Sequence, residues 1–480
     1  MPVIENKLYA KLKFPLDSRI LSVLLFSLFS GWLLAFPFEG QIFYALGNKN
    51  NIDIHNLLFS GIFAHFIGLF TCGLFVKNIH TAKRTFTFST VLCIAGSTIF
   101  FSRYSIMWHI SIILISLSAG FVIASWGFYL KNFTPSNERI KTVADALILS
   151  NIIMIIFNVV AINISPYISL AISILALFFA LILNHNLNIG MPTNHQSSHE
   201  NLVMEEKVIF PLLFLCIFII IITINSGLMY RIINPAFGHH QFLVSWYWSI
   251  PYITTIFILR NLPLKTNRTY ALTIGIAMIG FSFLLFAYLD RSALSYIIID
   301  SLMLGACGIF DLFWWSILAE MLDYSNNAAK IFGIGLSANV LGVFIGELIG
   351  SAIYTVNFDK YDPTLIAFIV VFIIMLMLPI LNNQLLKLLK THAFLTKFFN
   401  MDTHEQNGAI YNFMESRKLT EREKEITVLL LKGLTYKMIA NELCLSENTI
   451  KTHIKNIYSK FDVKSKSELM IIFNETNIIS

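Results

Sequence analysis

The sequence predicts an all-α chain in two parts. The first is a polytopic bundle of twelve membrane helices, grouped six and six. The second is a small cytoplasmic domain of four helices. Three observations lead there. Hydrophobic residues make up 56% and charged residues 13% of the chain, against roughly 25% charged in an ordinary soluble protein, and the mean hydropathy is +0.70. Apolar runs close to the ~20 residues that cross a bilayer recur along most of the chain. Beyond residue 416 the chain turns polar and carries helix caps and turn signals.

The runs are 20–38, 55–76, 86–101, 106–130, 142–163, 166–184, 208–230, 241–259, 269–289, 293–319, 331–355 and 363–386. The longest polar gap, 185–207, divides them into two sets of six. Lys7, Lys11, Lys13 and Arg19 precede the first run, and no small-residue cleavage site follows Phe36 to Glu39. That run is therefore expected to stay as a spanning helix and not to leave as a signal peptide. Loop Lys and Arg fall 18 on one side and 5 on the other. The positive-inside rule then places both termini in the cytoplasm, as in a bacterial inner-membrane protein. The five cysteines, at 72, 93, 216, 307 and 444, form no CxxC pair. Neither a disulfide framework nor a metal site is expected, and no cofactor.

Ionisable groups at membrane depth are costly and mark sites. Asp300 and Asp311 are eleven residues apart in the tenth run, on one helix face and about 16 Å apart along it. Leu304, Cys307, Gly308, Trp314 and Trp315 fall on or near that stripe. Carboxylates beside indoles suit a cationic or aromatic ligand. The competing reading is polar glue between helices, or for Asp300 a place at the outer interface. In the eleventh run Gly342, Gly346 and Gly350 recur every four residues, a spacing that lets helices approach closely. Glu347 sits among them. Asp300, Asp311, Trp314 and Glu347 are thus the candidate contacts for an unknown small molecule. His65 and His109 read as packing histidines, and Glu320 and Asp323 as loop-edge charges. Trp246, Tyr247 and Trp248 read first as an aromatic belt and second as a lid.

Six plus six helices around a long central loop resemble the major facilitator superfamily over about residues 20–386. That family's signature between its second and third helices is a Gly, an Asp, a second Gly and two basic residues. Here Gly73, Lys83 and Arg84 stand, but Lys77 occupies the Asp position and the second Gly is missing. The matching loop of the second half, Arg260 to Arg268, is equally degraded. The signature belongs to the gating machinery of transporters, so its loss argues against transport while leaving a central cavity between the halves.

Residues 387–416 alternate Lys387, Lys390 and Lys397 with Leu388, Leu389, Phe394, Leu395, Phe398 and Phe399. They are expected to form an interfacial helix and linker. Arg417 to Lys466 then holds 11 basic and 6 acidic residues, a net of +5, which suits a polyanion. Thr420 and Glu423 make a capping box that starts a helix, with Ile426, Leu429 and Leu430 on its buried face. Gly433 ends it. Thr435 caps a second helix with Ile439, Ala440 and Leu443 inward. Ser446 caps a third, with Leu445 and Ile450 as a hydrophobic staple. Ile450, Ile454, Ile457 and Phe461 form its inward stripe. Thr449, Lys451, Thr452, Lys455, Asn456 and Ser459 face outward. Ser465 to Phe473 makes a fourth helix. Two short helices joined by a tight turn, the second exposing Lys and Thr, form a helix-turn-helix whose second helix suits the major groove.

The stretch from Lys418 to Ile472 closely resembles the LuxR-type DNA-binding domain. The matching residues are Leu419, Thr420, Arg422 and Glu423; Gly433, Leu434 and Thr435; Ile439 and Ala440; Leu443, Leu445 and Ser446; Thr449, Lys451 and His453; and Ile457, Tyr458 and Lys460. The resemblance implies Lys451, Thr452 and Lys455 as base-facing positions. It implies Lys437, Thr449 and Lys460 as phosphate contacts, and Leu469 and Ile472 as dimer contacts. Met438 stands where the family has a Glu that completes the capping box of Thr435, which removes about 0.5–1 kcal/mol from the start of the second helix.

The expected organisation is therefore a transporter-like membrane sensor at 1–386, a linker at 387–416 and a LuxR-type domain at 417–474. The expected function is a non-enzymatic, membrane-embedded one-component transcriptional regulator. Its expected partners are promoter double-stranded DNA, a small molecule or membrane cue, the lipid bilayer and a second copy on DNA. The alternative is an active secondary transporter with a regulatory DNA-binding tail.

Overall fold

The computed structural model of the chain describes residues 17–38, 40–135, 138–187, 200–262, 268–322, 325–355 and 364–381. It also describes 408, 413–414, 417, 419–431, 436–463, 468–469 and 472–473. At 200–208, 268–269, 354–355, 437–438, 441 and 447 the description is of backbone alone. The chain divides into two compact units, Met1–Asn382 and Asn383–Ser480.

The first unit contains, among the described residues, twelve helices long and apolar enough to cross a membrane. In chain order the helices are α1 Ser18–Ala35, α2 Gln41–Lys49, α3 His55–Phe75, α4 Ile79–Thr98, α5 Ile106–Phe133, α6 Arg139–Asn163 and α7 Pro166–Asn186. They continue as α8 Glu200–Leu228, α9 Gln241–Trp246, α10 Ile250–Asn261, α11 Arg268–Tyr288, α12 Ala293–Met321 and α13 Ala328–Thr355, then α14 Thr364–Leu381. The twelve spans are those the hydropathy predicts. Two departures arise at prolines. After α8 the helix widens into a π turn, Met229–Ile233, just before Pro235, which has no N–H to offer the carbonyl four residues back. The eighth span is broken at Tyr247–Ser249, directly before Pro251. Both breaks border the central cavity. The short α2 is an element the hydropathy does not show.

Close helix contacts rest on glycine. A methyl placed on Gly227 of α8 would lie 2.7 Å from the Cα of Gly346 on α13. A methyl on Gly346 would lie 2.9 Å from the Cα of Gly227. The small-residue spacing read in the eleventh run is thus a seam where two backbones meet.

Four links join the two halves at one end of the bundle. Arg260 holds the Asp145 carboxylate by two bonds of 2.5 and 3.0 Å. Arg139 donates to the Ala319 carbonyl at 3.1 Å, and Lys131 to the Ser325 carbonyl at 2.7 Å. Asn327 donates to the Gly73 carbonyl at 2.7 Å. Because spans alternate in direction, this is also the end where α14 finishes. At the opposite end Arg231 bonds His55 at 2.9 Å. Glu320, read as a loop-edge charge, is buried, because α12 runs on past it to Met321 and the neighbouring helices cover that last turn.

The second unit contains α15 Glu421–Leu431, α16 Tyr436–Glu442 and α17 Glu447–Phe461 around one core. Ile426, Leu430, Ile439, Ile450, Ile454, Ile457 and Phe461 are all buried there. Phe413 and Met414 join that core, with Phe413 stacked on Phe461 at 4.7 Å. The core therefore starts upstream of residue 417. Most of the expected linker, the Gly433 stop, the Thr435 cap and Asp323 lie outside the described residues, as do the Lys437 and Met438 side chains.

Candidate nucleic-acid interface and central cavity

The recognition helix α17 is strongly two-faced. Ser446 caps it, its hydroxyl accepting the Thr449 N–H at 3.1 Å. Asp462, in the left-handed conformation, closes it. With the Ile and Phe stripe buried, Thr449, Lys451, Thr452, Lys455, Asn456 and Ser459 are all exposed. The Thr452 hydroxyl bonds back to the Asn448 carbonyl at 3.1 Å.

Two inner contacts set the angle of this helix. The Glu423 carboxylate, itself buried, accepts the Thr420 N–H at 2.8 Å and the Lys460 ammonium at 2.6 Å. The Thr420 hydroxyl in turn accepts the Glu423 N–H at 3.3 Å. One carboxylate thus closes the capping box and ties the start of α15 to the end of α17. Burial pushes the Glu423 carboxyl up, but Lys460 and the two Thr420 bonds outweigh it and hold it below the usual range. Arg422 donates to the Leu443 carbonyl at 2.9 Å, gripping the turn before α17. There Cys444 takes a positive φ of 53°. The sequence shows Arg422 and Glu423 inside a matching pattern but not what either holds.

Two of the expected contact residues have partners inside the domain. Lys460 pairs with Glu423, a buried carboxylate that needs a counter-charge. Leu469 is fully buried in the domain core, so it packs the domain from within. Ile472, half-buried against that core, remains the candidate dimer position with solvent access.

In the membrane unit a cavity of about 180 Å³ lies between the halves. Asp311, Trp314, Trp315, Cys307 and Leu304 of α12 line it, facing Phe26, His65 and Asn151 of the first half. The Asp311 carboxylate accepts the Tyr252 hydroxyl at 2.7 Å. Of the four candidate ligand residues, Asp311 and Trp314 are in this wall. Asp300 and Glu347 are buried but are not part of it. Asp300 shares the face of Asp311, but its offset of about 16 Å along the helix carries it beyond so small a cavity. Tyr252, Asn151 and Trp248 also line the cavity. Asn151 and Tyr252 are uncharged, so hydropathy does not single them out, and Trp248 reads from the sequence as an aromatic belt or lid residue.

Comparison with known proteins bears on each unit separately. Residues 417–473 match the family model described as bacterial regulatory proteins, luxR family. The spore germination protein GerE of Bacillus subtilis is 41% identical over 59 residues, 12% of this chain and 80% of that protein. The chain belongs, through this domain, to the luxR family. The CsgBAC operon transcriptional regulatory protein of Escherichia coli is 42% identical over 73 residues, 15% of this chain. The transcriptional regulatory protein LiaR of Bacillus subtilis is 36% identical over 69 residues. The chain spans only 33% of the length of either of these two relatives.

The membrane unit has the major facilitator fold. The human organic anion transporter MFSD10 aligns with a TM-score of 0.59 at 12% identity, covering 76% of this chain and 100% of that one. FucP, in its outward conformation, aligns with a TM-score of 0.55 at 12% identity, covering 76% and 99%. At such identity the likeness concerns the fold alone. This luxR-family chain therefore carries its DNA-binding domain on a transporter-like bundle.

Proposed function

We propose that the chain is a membrane-embedded, one-component transcriptional regulator. A small molecule or another membrane cue acts on the twelve-helix unit and changes sequence-specific DNA binding by the C-terminal domain. The observation that carries this reading is covalent: a luxR-family domain with an exposed Lys451, Thr452 and Lys455 face continues the same chain as a cavity-bearing bundle. Between Leu381 and Phe413 there is no room for a separate receiver domain, so the membrane unit is the input. Lys451 and Lys455 read bases, Thr452 packs on a thymine methyl, and Thr449 with Lys437 meets phosphates. The protein acts as a dimer on DNA, with both termini in the cytoplasm of a bacterial inner membrane, and catalyses no reaction.

The test is capture of genomic DNA by the full-length chain in nanodiscs. A defined set of promoter fragments is expected, with Lys451→Ala and Lys455→Ala each weakening specific binding by about 1–3 kcal/mol. Equal retention of all fragments by every variant would sink the assignment. The fold supports a second reading, transport with a regulatory tail, which coupled uptake into vesicles after deletion of 417–480 would establish.

A further inference from the structure

We infer that the central cavity is a receptor site for a small organic cation, admitted from the face of the membrane opposite the DNA. Among the described residues that line the cavity, Asp311 is the only carboxylate and none is Lys or Arg. Its one hydroxyl donor, Tyr252, leaves further acceptor capacity on a carboxylate held at membrane depth. Aromatic rings surround it: Trp314 and Trp315 on its own helix, with Phe26, Tyr230 and Trp248 from others. A carboxylate in an aromatic cage is the arrangement that stabilises an ammonium head, and it repels an anion. The indole N–H groups of Trp248 and Trp314 are buried with no acceptor among the described residues, so a ligand carrying an oxygen acceptor fits better than a bare hydrocarbon. The size suits one ring or a quaternary ammonium, given that an apolar cavity of ~150 Å³ holds benzene.

The route is also built. A second cavity, about 600 Å³, is lined by Gln41, Asn48, Asn234 and Gln241 and shares Tyr230 and Trp248 with the first. Those two side chains line both spaces, at the boundary between an outer vestibule and the inner site. Lys49, on the vestibule wall, is turned over the Tyr167 ring at 4.5 Å. The vestibule lies at the end of the bundle opposite the four links and the last turn of α14. Which face this is rests on the proposed function, since the chain must reach DNA from the α14 end; the chemistry of the site does not depend on it.

Cys307 lines the inner cavity and serves as reporter. The full-length chain with Cys444→Ser, which removes the exposed thiol, is placed in right-side-out and inverted vesicles. Each is treated with a membrane-impermeant methanethiosulfonate bearing either a trimethylammonium or a sulfonate group. In right-side-out vesicles the cationic reagent is expected to modify Cys307 at least about tenfold faster than the anionic one. Benzylammonium chloride should slow it, and Asp311→Asn should erase the preference. Equal or faster modification by the sulfonate reagent, measurable without any variant at Asp311, would overturn the ligand class. Modification only in inverted vesicles, or in neither, would overturn the route. None of these readouts involves DNA, so a failure here is separate from a failure of the regulator reading.

Discussion

Glu423, a buried residue, ties the first helix of the C-terminal domain to the helix that exposes Lys451 and Lys455. Its carboxylate caps α15 and receives Lys460 from the last turn of α17. Removing it loses a cap and leaves an ammonium facing a buried site, so Glu423→Ala is expected to cost about 2–3 kcal/mol in unfolding of the C-terminal domain. Chemical denaturation followed by circular dichroism checks this. Lys460→Met keeps the cap but leaves the buried Glu423 carboxylate without its counter-charge, and is expected to destabilise the domain in the same measurement. The held-down carboxyl also sets a pH dependence. A group whose folded value lies below its unfolded one stabilises fully above the unfolded value, near the ordinary 4.5, and loses that contribution as pH falls through the folded value. Domain stability should therefore fall below about pH 4.5, and less steeply in Glu423→Gln. On the outward face, removing Lys451 or Lys455 should also lower the salt dependence of DNA binding if either touches phosphate, by about one unit of slope.

At the scale of elements, glycine and proline decide the geometry of the bundle. The α8 and α13 seam leaves no room for a side chain at Gly346. Gly346→Leu is expected to destabilise the membrane unit by about 1–3 kcal/mol, read as a lower thermal midpoint in detergent. An unchanged midpoint would mean that the helices part at no cost. This seam was legible in the sequence because small residues at a four-residue spacing have one common structural use. The twelve spans were legible because bilayer thickness fixes their length. The two-faced pattern of α17 was legible because Ile450, Ile454, Ile457 and Phe461 repeat with the helix period. The cavity was only partly legible. Asp311 and Trp314 stand out in an apolar run, whereas Asn151 reaches the same space from the fifth span and Tyr252 and Trp248 from the eighth. Periodicity reports which face of a helix is polar, not which helices meet. The inward turn of Trp248 depends on the break before Pro251, and the burial of Leu469 depends on which face of its helix the core takes. Neither is a local property.

At the scale of the whole molecule, the bundle is fastened at one end by Arg260 with Asp145, Arg139, Lys131 and Asn327, and it carries its vestibule at the other. The proposed function requires a second arrangement of this bundle, with the fastened end released. Under the proposed function, the cue selects between these arrangements, and the chain beyond α14 passes the choice to the DNA-binding domain. A ligand shifts that balance only by its difference in affinity for the two. The most direct measurement is the dissociation constant of the full-length chain in nanodiscs for its own promoter fragment, compared with that of Arg260→Met, which releases the strongest of the four links. Coupling between the bundle and the DNA-binding domain predicts a change of at least about fivefold. An identical constant, with the variant folded and its fastened end shown to be open, would contradict control of DNA binding by the membrane unit.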